Sequence, residues 1–330
     1  MLHAHLTTLH VVSQILASLR ADAALTAQLL QGSGLVAADL DCADTRITRT
    51  QELQVCSNAL QLRSDLGLLL GQRMHVSAYG LVGYAALSSA TLGDAWQLLL
   101  SYPALLGTYF KLSLDITDEL AWVSASHYQH DAALYEFNVE MCLGSLKLIC
   151  DDLLGEPLPL SAAEFSYARP AYSEQYKNNF ACALQFDATR NAFAFPASWL
   201  KKRLPLADAV THCDMLERCR KQNTEFTNRQ AWLARIRQLL AQQLSAPPSL
   251  DQLAQQVHCS SRTLRRHLQE LGTHYQELLD ELRYEHAKTL LSQEHWPICR
   301  IAEHLGFSET ASFRHAFQRW SGVAPSQFRG

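Results

Sequence analysis

Over the last hundred residues apolar side chains recur every three or four positions, the spacing of helices that bury one face. Between Arg229 and Leu244, the residues Trp232, Ile236, Leu239 and Leu240 fall on one side. Ser245-Ala-Pro-Pro248 ends that run because proline breaks the hydrogen-bond ladder. Ser249, with Gln252 three residues on, is a capping box that restarts the pattern. Leu250, Leu253, Ala254 and Val257 then form the inner face of a short helix, and Leu264 and Leu268 that of a second after a brief turn. Tyr275–Ser292 reads as one long helix, with Leu278, Leu279, Leu282, Ala287, Leu290 and Leu291 apolar. Beyond it the motif returns: Ile301, Ala302 and Leu305 point inward, Gly306 permits a tight turn, and Phe307, Phe313 and Phe317 supply a core. The pattern predicts an all-α domain over 229–330, with helix-turn-helix motifs at 249–270 and 298–320 joined by a long helix.

The first two hundred residues read differently. Spacing is helical over Leu6–Leu19, Gly32-Ser-Gly34 breaks the pattern after a second helix, and Arg49–Asn58 and Ser64–Met74 continue it. Leu81–Leu87 and Leu92–Leu105 look like buried helices, the latter capped by Thr91 or Ser89. The period then shortens, and Tyr109–Asp115 and Leu120–His127 suggest a hairpin about Asp115-Ile-Thr-Asp118. Leu134–Leu154 returns to helix, and Glu164–Tyr167 and Ala192–Phe195 read as strands. An α+β domain over 1–205 is the expectation, followed by a polar linker at 206–228 and the helical domain from 229.

Charge divides the chain in the same place. The net formal charge of 330 residues is −4, but residues 1–200 hold 10 Lys/Arg against 19 Asp/Glu, whereas 201–330 hold 18 against 13. A basic C-terminal module suits a phosphate-bearing partner, and an acidic N-terminal one does not. Nine cysteines without a C-x-x-C pair fit reduced thiols in a core better than a zinc framework. No secretory signal is evident, which points to the cytoplasm. The uncharged stretch Met74–Gly93 is long enough to cross a membrane, but His75, Ser77, Gly80, Gly83 and Ser88 favour a buried helix pair. No Walker loop, G-x-S-x-G or H-E-x-x-H occurs, and Asp151-Asp152 and the run Glu136 to Glu140 are expected on solvated helix faces, so no enzyme is indicated. No cofactor or metal is called for.

The two hairpins carry the chemistry. In the first, Ser261, Arg262, Arg265 and Arg266 are left on an outward face at spacings of three and four. A major groove admits such a helix, and guanidinium forks suit guanine edges and phosphates. In the second, the outward set is Thr310, Ala311, Arg314 and His315. A rigid helix between the two would let one monomer enter successive major-groove segments, about 34 Å apart.

Ile301-Ala, Gly306-Phe-Ser, Phe313, Ala316-Phe, Arg319-Trp, Gly322, Pro325 and Phe328-Arg329 together resemble the AraC/XylS family signature. The resemblance implies a bipartite seven-helix DNA-binding domain with both outward faces at base-reading positions. The chain departs from it at His315, where the family usually has an arginine. Gly80 through Ala95 and Arg190-Asn-Ala-Phe-Ala-Phe-Pro196 resemble the arabinose-binding-type regulatory domain of one branch of the family. That likeness implies a transcription regulator of bacterial type whose N-terminal domain senses a small-molecule effector. It also implies a homodimer on double-stranded DNA, and a contact with RNA polymerase where the protein activates.

Two other readings of the N-terminal half stay open on sequence. Fourteen histidines and nine cysteines, His127 and His130 among them, suit a metal- or redox-responsive regulator. A Leu- and Ala-rich core suits a pure oligomerisation platform. Trp96, Tyr102, Tyr109, Phe110 and Trp122 are candidates for a pocket lining, or for plain core.

Overall fold

A computed structural model describes residues 6–42, 45–292 and 296–328. The chain forms two units, Leu6–Phe226 and Thr227–Gly330.

The N-terminal unit opens with β1 (Leu6–Thr8), α1 (His10–Leu19) and α2 (Ala23–Leu30). It continues through β2 (Arg46–Thr48), α3 (Arg49–Leu60), α4 (Leu66–Gly71), α5 (Gly80–Leu87), α6 (Leu92–Ser101) and α7 (Pro103–Leu106). The expected helix over Leu6–Leu19 therefore starts only at His10. Its first residues are extended and pair antiparallel with β2, Thr7 opposite Ile47. Thr91 caps α6 by accepting from the Asp94 N–H, and Asp94 accepts back from the Thr91 N–H. The helix expected to reach Leu105 ends at Ser101 because Tyr102 precedes a proline, and α7 restarts with Pro103 at its first position.

Next come β3 (Lys111–Thr117), β4 (Leu120–Ser126), α8 (Tyr135–Leu154), β5 (Ala162–Glu164), α9 (Tyr176–Phe180), β6 (Ala183–Gln185) and β7 (Asn191–Pro196). The sheet order is β3-β4-β7-β5-β6, antiparallel except for β5 with β6. The hairpin turn is two residues, Asp118 and Glu119, both at positive φ. Asp115–Thr117, expected as the turn, instead extend β3, because a two-residue turn fits the strand twist. β6 escapes the sequence pattern, being three residues long with no buried member.

α8 is the axis of this unit. Phe137 and Met141 face a core built with Val12, Ile15, Ile47 and Val55. Val139, Leu143, Leu146 and Ile149 face a second core with Trp96, Val123, Phe165 and Phe193. Burial on both sides explains its near-continuous apolar sequence. Glu140 on this helix is buried in the interior, not solvated as expected, with Tyr172 and Tyr176 donating to its Oε1.

α10 (Ala209–Ala241) occupies most of the stretch expected to be a linker. The segment is polar but has no Gly or Pro, and Asp214–Arg218 (3.0 Å) and Glu217–Lys221 (2.8 Å) pair one turn apart. Met215, Leu216 and Cys219 from this helix pack on the N-terminal core.

The second unit is all α: the end of α10, then α11 (Leu250–Gln256), α12 (Ser261–Glu270), α13 (Tyr275–Ser292), α14 (Ile298–His304), α15 (Thr310–Ser321) and α16 (Pro325–Phe328). Leu233, Ile236, Leu253, Leu264, Leu282, Ile301, Phe313 and Phe317 share one core, and the Phe328 ring meets Phe317 edge-on at 5.4 Å. No described helix is long and apolar enough to cross a membrane.

Candidate DNA-binding surface and ligand cavity

Each hairpin is fixed by local chemistry before it meets a partner. Ser249 accepts from the Gln252 N–H at 3.3 Å to start α11, and Ser260 accepts from the Thr263 N–H at 3.1 Å to start α12. The turn between them passes through His258 at φ 56°. Leu264 and Leu268 anchor α12 in the core, so rotation by helical periodicity turns Arg262, Arg265 and Arg266 outward, and all three are exposed. Ser261 is half-buried, and its hydroxyl donates to Asp251. Arg266 lies 3.5 Å from Glu270, a pair weak enough to be exchanged for a phosphate.

In the second hairpin Phe313, Ala316 and Phe317 are buried, leaving Ala311, Arg314 and His315 exposed and Thr310 half-buried. Its turn is held by a buried cation that sequence reading had not singled out. Arg283 on α13 donates to the main-chain oxygens of Leu305 (2.8 Å) and Gly306 (3.3 Å) and lies 4.5 Å over the Phe307 ring. A signal existed: Arg283 sits four residues from both Leu279 and Ala287, at an inward position of the helix. The eight residues expected on DNA thus fall on the two second helices, four on each. α13 between the hairpins has 18 residues and is therefore about 27 Å long.

The N-terminal unit holds a cavity of about 420 Å³. Its wall draws Thr7 from β1, Glu52 from α3, Tyr79 to Val82, the segment Ala104 to Phe110, Asn138, Met141, Cys142 and Ser145 from α8, and Gln222 and Phe226 from α10. Tyr109 donates to Glu52 Oε1 at 2.5 Å, while Oε2 has no partner among the described residues. Burial pushes the Glu52 carboxyl up to about 6, against the pull of the Tyr109 hydrogen bond, the Arg49 charge and the nearby Thr7 hydroxyl. Asn138 donates through Nδ2 to the Tyr128 hydroxyl at 3.0 Å and the Leu134 carbonyl at 2.9 Å, which leaves Oδ1 unmet. Of the five aromatic candidates, Tyr109 and Phe110 line this cavity. Trp96 and Tyr102 are core, and Trp122 lies on β4 under the Arg190 guanidinium at 3.8 Å. Among the described residues no cluster of three or more His, Cys, Asp or Glu side chains is arranged to hold a metal ion.

Residues 25–204 match the family model described as the arabinose-binding domain of AraC transcription regulator, N-term, and 253–330 match a helix-turn-helix domain. The first match alone covers more than half of the chain. The chain belongs to the AraC family of transcription regulators. The ornithine utilization regulator of Pseudomonas aeruginosa is 36% identical over 278 residues, covering 84% of this chain and 82% of its own. The transcriptional regulator VqsM of the same species is 29% identical over 280 residues, 80% of this chain and 83% of the relative. Among solved structures, the transcriptional regulator CdpR of Pseudomonas aeruginosa covers 97% of this chain and 96% of its own at 25% identity, with a TM-score of 0.45.

The regulator is thus a DNA-binding protein with an arabinose-binding-type N-terminal domain, and its relatives are transcription regulators. The sequence did not single out Glu52 or Asn138 as cavity residues, because Glu52 lies among polar neighbours in α3 and Asn138 is one polar position in the mostly apolar α8.

Proposed function

We propose that the regulator reads a bipartite operator with two helix faces, α12 through Arg262, Arg265 and Arg266, and α15 through Thr310, Ala311, Arg314 and His315. Ser261 supports the first face from its pairing with Asp251. The observation that carries this reading is the exposure of these cations on the second helix of each hairpin while the apolar side of the same helix is locked in the core. Arginine forks select guanine edges, Thr310 is placed to hydrogen-bond a base or phosphate, and Ala311 suits a thymine methyl. The regulator binds this DNA as a homodimer in the cytoplasm and, when activating, touches RNA polymerase. Replacing Arg265 by Ala should cost about 1–3 kcal/mol on a selected operator and much less on random DNA. Equal losses on both would reduce Arg265 to a phosphate anchor.

The same reading makes the N-terminal cavity the effector site. What supports it is the cavity's size, within the range of small-molecule sites, and the unmet polar atoms on a wall of mixed polar and apolar side chains. α10 supplies Gln222 and Phe226 to that wall, and further along Leu233, Ile236 and Leu240 to the core of the DNA-binding unit. Occupancy thereby bears on a helix that both units use. The name of the Pseudomonas relative makes basic amino acids the first compounds to try.

A further inference from the structure

Glu52 Oε2 and Asn138 Oδ1 are buried acceptors without a hydrogen-bond partner among the described residues. Their side chains are 3% and 1% exposed, and both residues line the same cavity. An acceptor left unpaired away from water costs about 1–3 kcal/mol, and more when charged. Two of them in one hollow call for a ligand that brings donors.

Charge narrows the choice. The cation acting on Glu52 is Arg49, one helical turn earlier, whose Nη2 donates to the main-chain oxygens of Gly107 (3.4 Å) and Thr108 (3.2 Å). Its guanidinium lies 4.8 Å over the Tyr109 ring, whose hydroxyl bonds Glu52 Oε1. The Glu52 carboxyl titrates near 6 even so, which leaves it mostly ionised at neutral pH and poorly compensated. A neutral polyol would supply donors but no counter-charge. An ammonium group supplies both, and its hydrogen bond to a carboxylate is about twice as strong as a neutral one.

Building on the effector reading of this cavity, we propose that it recognises an alkylammonium group, with Glu52 Oε2 as counter-ion and Asn138 Oδ1 as second acceptor. Leu81, Val82, Leu105 and Met141 receive the carbon chain, and Tyr79 and Phe110 supply aromatic rings to the same wall. Diamines and basic amino acids share this group. Arg46 and His10, exposed where they line the cavity, would meet a carboxylate that only the amino acid carries.

The test is calorimetric titration of the full-length protein with putrescine, with L-ornithine and with the neutral diol of putrescine's chain length. The wild type is compared with Glu52→Gln, which keeps an acceptor for Tyr109, and with Ala78→Trp, which fills the cavity. We expect at least one amine to bind one-to-one, the diol to bind more than tenfold more weakly, Glu52→Gln to weaken the amine more than tenfold, and Ala78→Trp to abolish it. Ornithine binding better than putrescine identifies the amino-acid source, and the reverse the diamine. Amine binding that Glu52→Gln leaves unchanged but Ala78→Trp removes overturns the ammonium assignment and keeps the cavity as the effector site. Binding that survives both variants places the site elsewhere and overturns both readings. Equal binding of diol and diamine to the wild type, or no amine binding at millimolar concentration, overturns the assignment without any variant.

Discussion

Glu140 is a carboxyl enclosed by the N-terminal core, and its surroundings set a pH dependence. Burial pushes its pKa up to about 7, opposed by the hydroxyls of Tyr176 and Tyr172 and aided by the charge of Glu136. In the unfolded chain the same group titrates near 4.5. Between those values the folded state holds a proton that the unfolded state has released, so stability is full below about 4.5 and falls as pH rises toward 7. The loss is on the order of 2–4 kcal/mol, because each pH interval of one between the two values is worth about 1.4 kcal/mol. Glu140→Gln keeps the acceptor for both tyrosines and removes the charge. Its melting temperature should therefore overtake that of wild type above pH 7, with the gap closing in acid. Parallel curves for the two proteins would show that the carboxyl is not under strain. Glu52 moves the same way over a narrower window, up to about 6.

At the scale of elements, the second hairpin depends on Arg283 and Gly306 together. Gly306 has φ 74°, and a Cβ there would lie 2.6 Å from the Leu244 oxygen, which is main chain and cannot swing away. Gly322 has φ 77° but open space around an added Cβ. Gly322→Ala should thus cost about 1 kcal/mol, the ordinary penalty of a left-handed backbone. Gly306→Ala should cost clearly more, on the order of 2–4 kcal/mol, as strain and clash add. Chemical denaturation of the full chain ranks the two, and equal losses would refute the contact argument. Arg283→Met should cost about 2–3 kcal/mol, since it strips a buried and a half-buried carbonyl of this donor.

These elements also show what the sequence makes legible. The helices of the DNA-binding domain could be read closely, because their apolar faces recur at helical spacing, α11 and α12 carry serine caps, and their partners are near in sequence. Tyr275–Ser292 appears as one helix as expected, and so does the Ser249 cap. The N-terminal unit was legible in class but not in detail. β1 and β6 are three-residue strands whose extension comes from distant partners, which local periodicity does not record. The first half of α10, over 209–228, was hidden because its own support includes ion pairs one turn apart in a polar segment, whereas the half from Arg229 was read from its apolar stripe. The cavity was out of reach for a related reason: Glu52, Tyr109 and Asn138 lie far apart in sequence and meet only through the fold.

On the scale of the whole molecule, α10 runs from an acidic unit with a cavity into a basic unit with two helix-turn-helix motifs. On the function proposed above, α12 and α15 read separate parts of one operator. Binding-site selection from fragmented genomic DNA tests it, repeated with Arg265→Ala and Arg314→Ala. We expect a wild-type motif of two half-sites about 10–11 base pairs apart. Arg265→Ala should blur the preferred bases in one half and Arg314→Ala in the other. Selected motifs that keep every base preference in both variants, with affinity lowered equally on all DNA, would contradict the account.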